Sequence, residues 1–283
     1  MKILVTGGSG FIGSHLVREL LAQGHEVRIL DKVSSSRYPE LCQIGDVRNS
    51  ADCDKAVKGI ELVYHLAAEH RDDVTPLSLY YEVNVEGSAK LAAACAANGV
   101  FRLVFTSSVA IYGLNNGEPT EETTPHPFND YGKSKLEAEK VLYQWAQDNP
   151  AVSLVIVRPT VVFGEENRGN VYNLVKQISS GKFVMVGDGS NRKSMAYVGN
   201  VVSFLSFVGE RAKPGAAVYN YADKPDFSMN KLVGVVRSSM GKSFEAPFKI
   251  PYTLGMAGGA CFDLIASVSG KKLPISAVRV KKF

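Results

Sequence analysis

The sequence predicts an α/β fold, a doubly wound parallel sheet followed by a smaller C-terminal lobe. Three observations carry that expectation. Short apolar runs alternate with helical stretches through the first half of the chain, the pattern of strand–helix–strand units with a parallel sheet. The first apolar run breaks into spaced glycines and then enters an amphipathic helix. After Arg158-Pro159 the texture changes: segments shorten, and Gly164, Asn167, Gly169, Gly187, Asp188, Gly189 and Asn191 punctuate them.

In chain order, Ile3–Val5 is the first strand and Thr6-Gly7-Gly8-Ser9-Gly10-Phe11-Ile12-Gly13 the turn that follows it. Ile12, Leu16 and Leu20, with Val17 and Leu21 beside them, give the helical period of the stretch Gly13–Ala22. The first turn of a helix has amide N–H groups without helical partners and a partial positive charge, so it attracts an anion such as a pyrophosphate. Gly7 and Gly10 would let the backbone turn sharply against that anion, and Gly13 would let the helix pack closely on the strand. The spacing G-x-x-G-x-x-G differs from the commoner G-x-G-x-x-G of dinucleotide sites.

A second strand, Val27–Leu30, ends in Asp31, eighteen residues beyond Gly13. An acid there can accept hydrogen bonds from an adenosine ribose and repels a 2′-phosphate, which favours NAD over NADP; Lys32 and Arg37 soften that preference. A glycine turn that binds nothing, with Asp31 capping a loop, is the plainer alternative. The order strand, glycines, helix, acid argues for a Rossmann-like nucleotide half.

Strands Leu62–Leu66, Leu103–Phe105 and Leu154–Val157 follow, separated by helices Ser50–Val57, Tyr80–Ala97 and Ser134–Ala146. Right-handed crossovers place helices on both faces and ligands at the C-terminal strand ends. The expected division is residues 1–160 for the NAD-binding domain, with 195–225 returning to it, and 161–283 mostly for a smaller substrate-binding lobe.

Composition excludes several classes. A 45% hydrophobic and 21% charged chain is ordinary for a globular protein, and +4 over 283 residues does not call for nucleic acid. Cys42, Cys53, Cys95 and Cys261 share no metal or disulfide spacing, so no metal is expected. With no leader pattern, the cytoplasm is expected. Residues 252–268 contain Asp263 and several glycines and form no integral membrane segment. With Lys271, Lys272, Arg279, Lys281 and Lys282 behind them, they fit a lobe helix with a solvated basic tail better than an interfacial helix.

Chemistry concentrates in two places. Phe105-Thr106-Ser107-Ser108 ends a strand at the ligand-facing rim, and Tyr131-Gly132-Lys133-Ser134-Lys135 opens a helix that sets Lys135 one turn beyond Tyr131 on the same face. A phenol is a poor base near neutrality, with a free pKa of about 10. A neighbouring ammonium, with the charge of an oxidised nicotinamide, favours the phenolate. Ser108 can hydrogen-bond a substrate oxygen while the proton moves. A Y-x-x-x-K spacing is common by chance, and gains meaning from the dinucleotide turn and the strand-end serine.

These pieces resemble an extended short-chain dehydrogenase/reductase of the nucleotide-sugar epimerase/dehydratase group. The matching segments are Thr6–Gly13, Asp31, Gly45-Asp46-Val47, His65-Leu66-Ala67-Ala68, Asn84, Ser107-Ser108 through Tyr112-Gly113, Tyr131–Lys135 and Arg158-Pro159, across most of residues 1–205. The resemblance implies a catalytic set of Ser108, Tyr131 and Lys135. It implies NAD contacts at Gly7, Gly10, Phe11, Ile12, Gly13, Asp31, Asp46, Val47, Ala67 and Lys135. Asn84 would hold the active-site helix or a buried water network. Ser108, Asn170 and the pair Arg192/Lys193 would meet a nucleotide-diphosphate sugar. One departure stands out: five residues before Val198, where relatives carry arginine, this chain has Lys193, preceded by Arg192. Lysine neutralises phosphate but lacks the guanidinium fork, so which of the two grips the diphosphate stays open.

Among reactions implied by the resemblance, sugar 4,6-dehydration is disfavoured because Val109-Ala110 replaces the expected acid pair. Epimerase/reductase chemistry through cysteine is disfavoured because no cysteine lies near Ser108 in sequence. An NAD-dependent 4-epimerase, oxidising C4 and returning hydride to the other face of the sugar, is the expected function. A 4-keto-sugar reductase, or a dinucleotide-sensing module without turnover, are the alternatives. Asp31 favours the epimerase, and the short lobe favours the reductase. Glu69–Asp73 forms either a substrate loop or a solvated one, Trp145 packs, and Thr106 and Tyr112 shape the pocket. Helices Tyr80–Ala97 and Ser134–Ala146 carry apolar positions on more than one side, which suits a homodimer.

Overall fold

A computed structural model describes residues 1–71, 74–114, 117–181, 183–245 and 248–255. Cys261 and most of the 252–268 segment, with the basic tail behind it, lie outside the described residues, as do Asp72 and Asp73.

The main sheet is parallel and seven-stranded, in the order β10-β6-β5-β4-β1-β2-β3. Its strands are β1 (Lys2–Thr6), β2 (Glu26–Asp31), β3 (Cys42–Ile44), β4 (Leu62–His65), β5 (Arg102–Thr106), β6 (Ser153–Pro159) and β10 (Gly215–Tyr221). The order reverses between β1 and β4, which is where open α/β sheets bind ligands. The doubly wound α/β architecture expected from the sequence is therefore present, with the edge strands β3, three residues long, and β10, seven, added to the apolar runs.

Strand periodicity explains why the sheet is buried on both sides. Leu4, Leu30, Val63, Leu103, Phe105, Leu154 and Ile156 belong to one core with α2 (Ser50–Val57), α4 (Gly87–Ala97) and α5 (Asp130–Asp148). Their neighbours Ile3, Val5, Ile29, Leu62, Tyr64, Val104, Val155 and Val157 belong to the other core, with α1 (Phe11–Ala22) and α7 (Val198–Arg211). Side chains alternate across a strand, so a continuous apolar run feeds both layers.

The chain divides into two units, Met1–Glu166 with Ala196–Ala222, and Asn167–Met195 with Asp223–Phe283. The second unit packs α6 (Asn170–Ser179) and α8 (Met229–Ser238) around Leu174, Ile178, Phe183, Met185, Met229, Leu232 and Val233. β7 (Val161–Phe163) belongs to the first unit; in the second, residues 192–195 of β9 (Arg192–Tyr197) pair antiparallel with β11 (Asp223–Ser228), and β8 (Met185–Val186) pairs parallel with β12 (Lys249–Ile250).

Two helices depart from the sequence reading. The stretch expected as one helix over Tyr80–Ala97 is α3 (Ser78–Tyr81), a π-helical turn over Glu82–Glu86, and α4. The helix expected from Ser134 begins four residues earlier, at Asp130, because the Asn129 side chain caps it, accepting from Gly132 N at 2.9 Å. A buried ion pair fastens α5 to the sheet. Arg158 donates from Nε and Nη2 to the two Glu139 oxygens at 3.0 and 2.6 Å, and from Nη1 to the Tyr112 hydroxyl at 2.6 Å. Removing one partner of such a pair strands a buried charge. Glu139→Ala is expected to lower unfolding free energy by about 3–5 kcal/mol in urea denaturation, more than Glu137→Ala on the exposed side of the same helix.

Candidate active site

The glycine turn closes against the sheet at the point of strand reversal. Gly7 has φ +73°, and a Cβ there would meet the Ala67 backbone nitrogen at 2.7 Å. Only glycine adopts that conformation at that distance without strain. A Cβ on Gly13 would meet Gly7 O at 2.2 Å and Gly8 Cα at 2.7 Å. Gly13 therefore packs the helix on the turn itself rather than on the strand, a correction to the sequence reading. Gly8, which the sequence reading did not single out, is closed in by the Ile29 side chain at 2.8 Å. Gly10 is the N-cap of α1 and offers no side-chain cap, so the first amides of this helix are not taken by a capping side chain. Phe11 and Ile12 pack partly against the α1–α7 core.

Asp31 closes the turn from β2. Its carboxylate accepts from Ser9 N at 3.0 Å and from Val33 N at 3.3 Å. Arg37, expected to soften its preference against a 2′-phosphate, instead pairs with Glu166. Asp46 is taken up by Arg48, which bonds it from Nη2 at 2.7 Å and from Nε at 3.1 Å. Burial pushes the Asp46 carboxyl up, but Arg48 holds it below its ordinary pKa. The Val47 side chain lies in the core, so backbone atoms are what it has to offer a ligand.

Ser108 follows β5 and Tyr131 lies in the first turn of α5, close enough for the serine hydroxyl to pull the phenol's pKa down. Ser108 Oγ also accepts from Ala110 N at 3.1 Å, which fixes the serine at the head of a short 3-10 turn. Lys135 is buried one turn beyond Tyr131, donates to Thr106 O at 2.7 Å and lies 4.5 Å from the Phe105 ring centre. The three expected catalytic residues are thus gathered at the C-terminal ends of β5 and the start of α5.

The expected acidification of Tyr131 joins Lys135 to the charge of an oxidised nicotinamide. Of the chain's own influences, desolvation holds the phenol above its ordinary pKa, and Ser108 is the one group pulling it down. Burial lowers Lys135 to about 7. An amine that titrates near neutrality lends a phenolate less positive charge than an ordinary lysine, which is fully charged there.

Asn84 sits inside the π-helical turn and makes three bonds there. It accepts from Glu69 N at 2.8 Å and donates to Glu69 O at 3.0 Å and to Ser134 Oγ at 2.9 Å. It therefore holds the active-site helix directly, one of the two roles implied by the resemblance. Behind it, the Ser88 hydroxyl gives its proton to Asn84 O, so the His65 Nε2 at 3.0 Å must donate to Ser88. His65 Nδ1 then accepts from Thr6, 2.7 Å away, whose oxygen receives Ala67 N at 3.2 Å. Burial, with Lys135 nearby, lowers His65 to about 3, so it stays neutral.

Of the Glu69–Asp73 loop, Glu69 is buried and accepts from Arg71, while His70 and Arg71 are exposed. Tyr80, missed in the sequence reading, donates to Arg71 O and stands 6.4 Å from the Tyr131 ring centre. Trp145 packs in the core as expected, and Tyr112 is buried, with its hydroxyl donating to Asn220 Oδ1 at 2.8 Å. Asn170 starts α6, and Arg192 and Lys193 lie on β9 opposite Ser228 and Phe227; all three belong to the second unit. Among the described residues no cluster of His, Cys, Asp or Glu is arranged to hold a metal, and no helix is long and apolar enough to cross a membrane.

Several features fit a dinucleotide: the glycine cradle, the uncapped α1 N-terminus, Asp31 across the turn, and the Thr106 and Ser107 hydroxyl oxygens, buried without partners at the β5 end. Fold and site together define a Rossmann-like, NAD-using enzyme. Residues 3–222 match the model of the NAD dependent epimerase/dehydratase family, and the chain belongs to that family. It is 53% identical, over all of this chain and 85% of the relative, to an Escherichia coli O157:H7 N-acetyl-alpha-D-glucosaminyl-diphospho-ditrans,octacis-undecaprenol 4-epimerase. It is 31% identical, over 95% of the chain and 83% of the relative, to a Vibrio cholerae UDP-glucose 4-epimerase. A Thermus thermophilus UDP-glucose 4-epimerase in complex with NAD superposes with a TM-score of 0.75 at 29% identity, over 89% of this chain and 86% of that one. The chain is an NAD-dependent enzyme, and the 4-epimerase chemistry expected from its sequence is the reaction of all three.

Gly7→Ala is expected to abolish NAD retention, read as loss of nucleotide absorbance released on denaturation, because its Cβ would collide with Ala67. Tyr131→Phe is expected to keep the cofactor and to lower kcat by about 10²–10⁴. Full turnover in the phenylalanine variant would remove Tyr131 from the proton path.

Proposed function

We propose that this chain is a 4-epimerase of a diphosphate-linked N-acetylhexosamine, with a polyprenol as the diphosphate's carrier. The observation that carries this reading is the 53% identity, over the whole chain, to the E. coli polyprenol-linked enzyme. A nucleotide diphosphate as carrier is the second reading, favoured by the similarity to the Vibrio enzyme that acts on UDP-glucose.

Bound NAD would take hydride from C4 and return it to the opposite face. In the same reading, the Tyr131 phenolic oxygen accepts the C4 hydroxyl proton and later gives it back. Ser108, which lies near that phenol, steadies the sugar oxygen. Lys135 holds the cofactor's ribose and adds positive charge when protonated. Gly7, Gly10, Phe11, Ile12, Gly13, Asp31, Asp46, Val47 and Ala67 are the proposed cofactor contacts. Asn170, Arg192 and Lys193 are proposed to bind the diphosphate as part of a substrate-binding lobe. A homodimer through α4 and α5, and action at the cytoplasmic side, complete the reading; the exposed Tyr143 on α5 supports the first.

The test offers purified protein, without added cofactor, two substrates: detergent-dispersed polyprenyl-diphospho-N-acetylglucosamine and UDP-N-acetylglucosamine. The released sugar is then scored for C4 inversion. Conversion of the lipid-linked substrate at least tenfold faster is the expected outcome. Faster conversion of the UDP-sugar would establish the second reading, and a requirement for added reduced cofactor would replace both with a reductase.

A further inference from the structure

Charge is divided unevenly between the two units. Among the described residues, those of the second unit carry nine Lys/Arg against four Asp/Glu, a formal +5, and those of the first carry seventeen against twenty-one, a formal −4. The overall +4 hides this separation. A unit so basic is drawn to polyanions or anionic surfaces.

The basic unit also exposes apolar side chains in one neighbourhood. Phe248 and Leu254 are each 63% exposed, Phe244 51% and Tyr252 48%. Short-range contacts put them together. Met185 N bonds Phe248 O at 2.9 Å where β8 meets β12, and a Cβ on Gly255, next to Leu254, would touch the Val186 side chain. Phe244 lies against Gly234 on α8. Lys242 and Lys249 are exposed among these residues, Lys242 donating to Ser179 O at 2.9 Å at the end of α6. Asp188, which feels the Lys249 charge, and Glu245 are the acids of this neighbourhood.

We infer that this face of the second unit docks on an anionic lipid surface, its aromatic and leucine side chains entering the headgroup region and its lysines meeting the lipid phosphates. Aromatic and leucine side chains interleaved with lysine are the composition of an interfacial anchor. A second copy of the same face is disfavoured, because two basic units repel. The inference rests on the polyprenol-linked reading in one respect: a substrate anchored in a bilayer has to be met at the membrane surface.

The experiment is co-sedimentation of the full chain, loaded with NAD, with vesicles of phosphatidylcholine alone and with phosphatidylglycerol added. Binding is expected to the anionic vesicles, to weaken with salt, and to be weak on phosphatidylcholine. Lys242→Gln/Lys249→Gln is expected to weaken it about tenfold or more. Phe248→Ser/Leu254→Ser is expected to weaken it by about the same factor even at high salt. Both variants should keep the wild-type thermal transition and full turnover of detergent-dispersed substrate. Absence of sedimentation with anionic vesicles, or variants that bind like the wild type, overturns the inference. Vesicle binding without turnover of the dispersed lipid substrate refutes the functional reading and leaves the docking face standing; turnover without vesicle binding does the reverse.

Discussion

The site depends on where α5 is held. Tyr131 can work with Ser108 only if the first turn of α5 stays at the end of β5, and three separate contacts keep it there. Asn129 caps the helix at its start, Asn84 bonds Ser134 one turn in, and Glu139 is locked to Arg158 on β6. Each fixes a different point along the helix, so it can neither slide along its axis nor rotate freely. The ion pair is the most consequential, because its partners are almost wholly buried and neither has an alternative in water. Arg158-Pro159, one of the segments that carried the family resemblance, thus acts on the chemistry through the position of a helix, without having to touch a substrate.

A second buried chain links the cofactor side of the sheet to the same helix. It runs from Ala67 N through Thr6, His65 and Ser88 to Asn84, and from Asn84 to Ser134. Every donor in it has one acceptor, so the direction of each hydrogen bond is determined. A neutral imidazole is required for this pattern, and burial keeps His65 neutral. The π-helical turn makes the last link, since a regular helix through residues 82–86 would place Asn84 on a different face.

What was legible in the sequence was what periodicity and local spacing encode. The continuous apolar strands, the glycine turn and the Tyr131–Lys135 offset all lie within a few residues, and each has a direct physical reading. Edge strands β3 and β10 were not legible, because Cys42–Ile44 and Gly215–Tyr221 are half-exposed and carry no buried apolar run. The cap at Asn129 was in plain view as Asn-Asp ahead of a helix, a start signal that was available. Glu139 and Tyr80 could not be found this way, because their partners are distant in sequence or depend on the π-helical turn. Arg37 shows the same limit: its proximity to Asp31 in sequence suggested a role beside the ribose, and a carboxylate from residue 166 took it instead.

The electrostatics of the Tyr131–Lys135 pair lead one step further. Spacing on a helix shows that an amine and a phenol share a face, but not whether the amine is charged. Here burial works against both charged forms, raising the phenol and lowering the amine toward 7. A desolvated phenolate needs a cation close by, and the ammonium of Lys135 has the Thr106 carbonyl, the Phe105 ring and the charge of Glu139 to hold it. Lys135 is therefore only partly charged near neutrality, and positive charge that a ligand brings to the pocket adds to it in favouring the proton-accepting state of Tyr131. On this argument the basicity of the site belongs to the loaded protein. The chain's own contribution is to hold the phenol, the serine and the amine together, with the amine buried behind the other two.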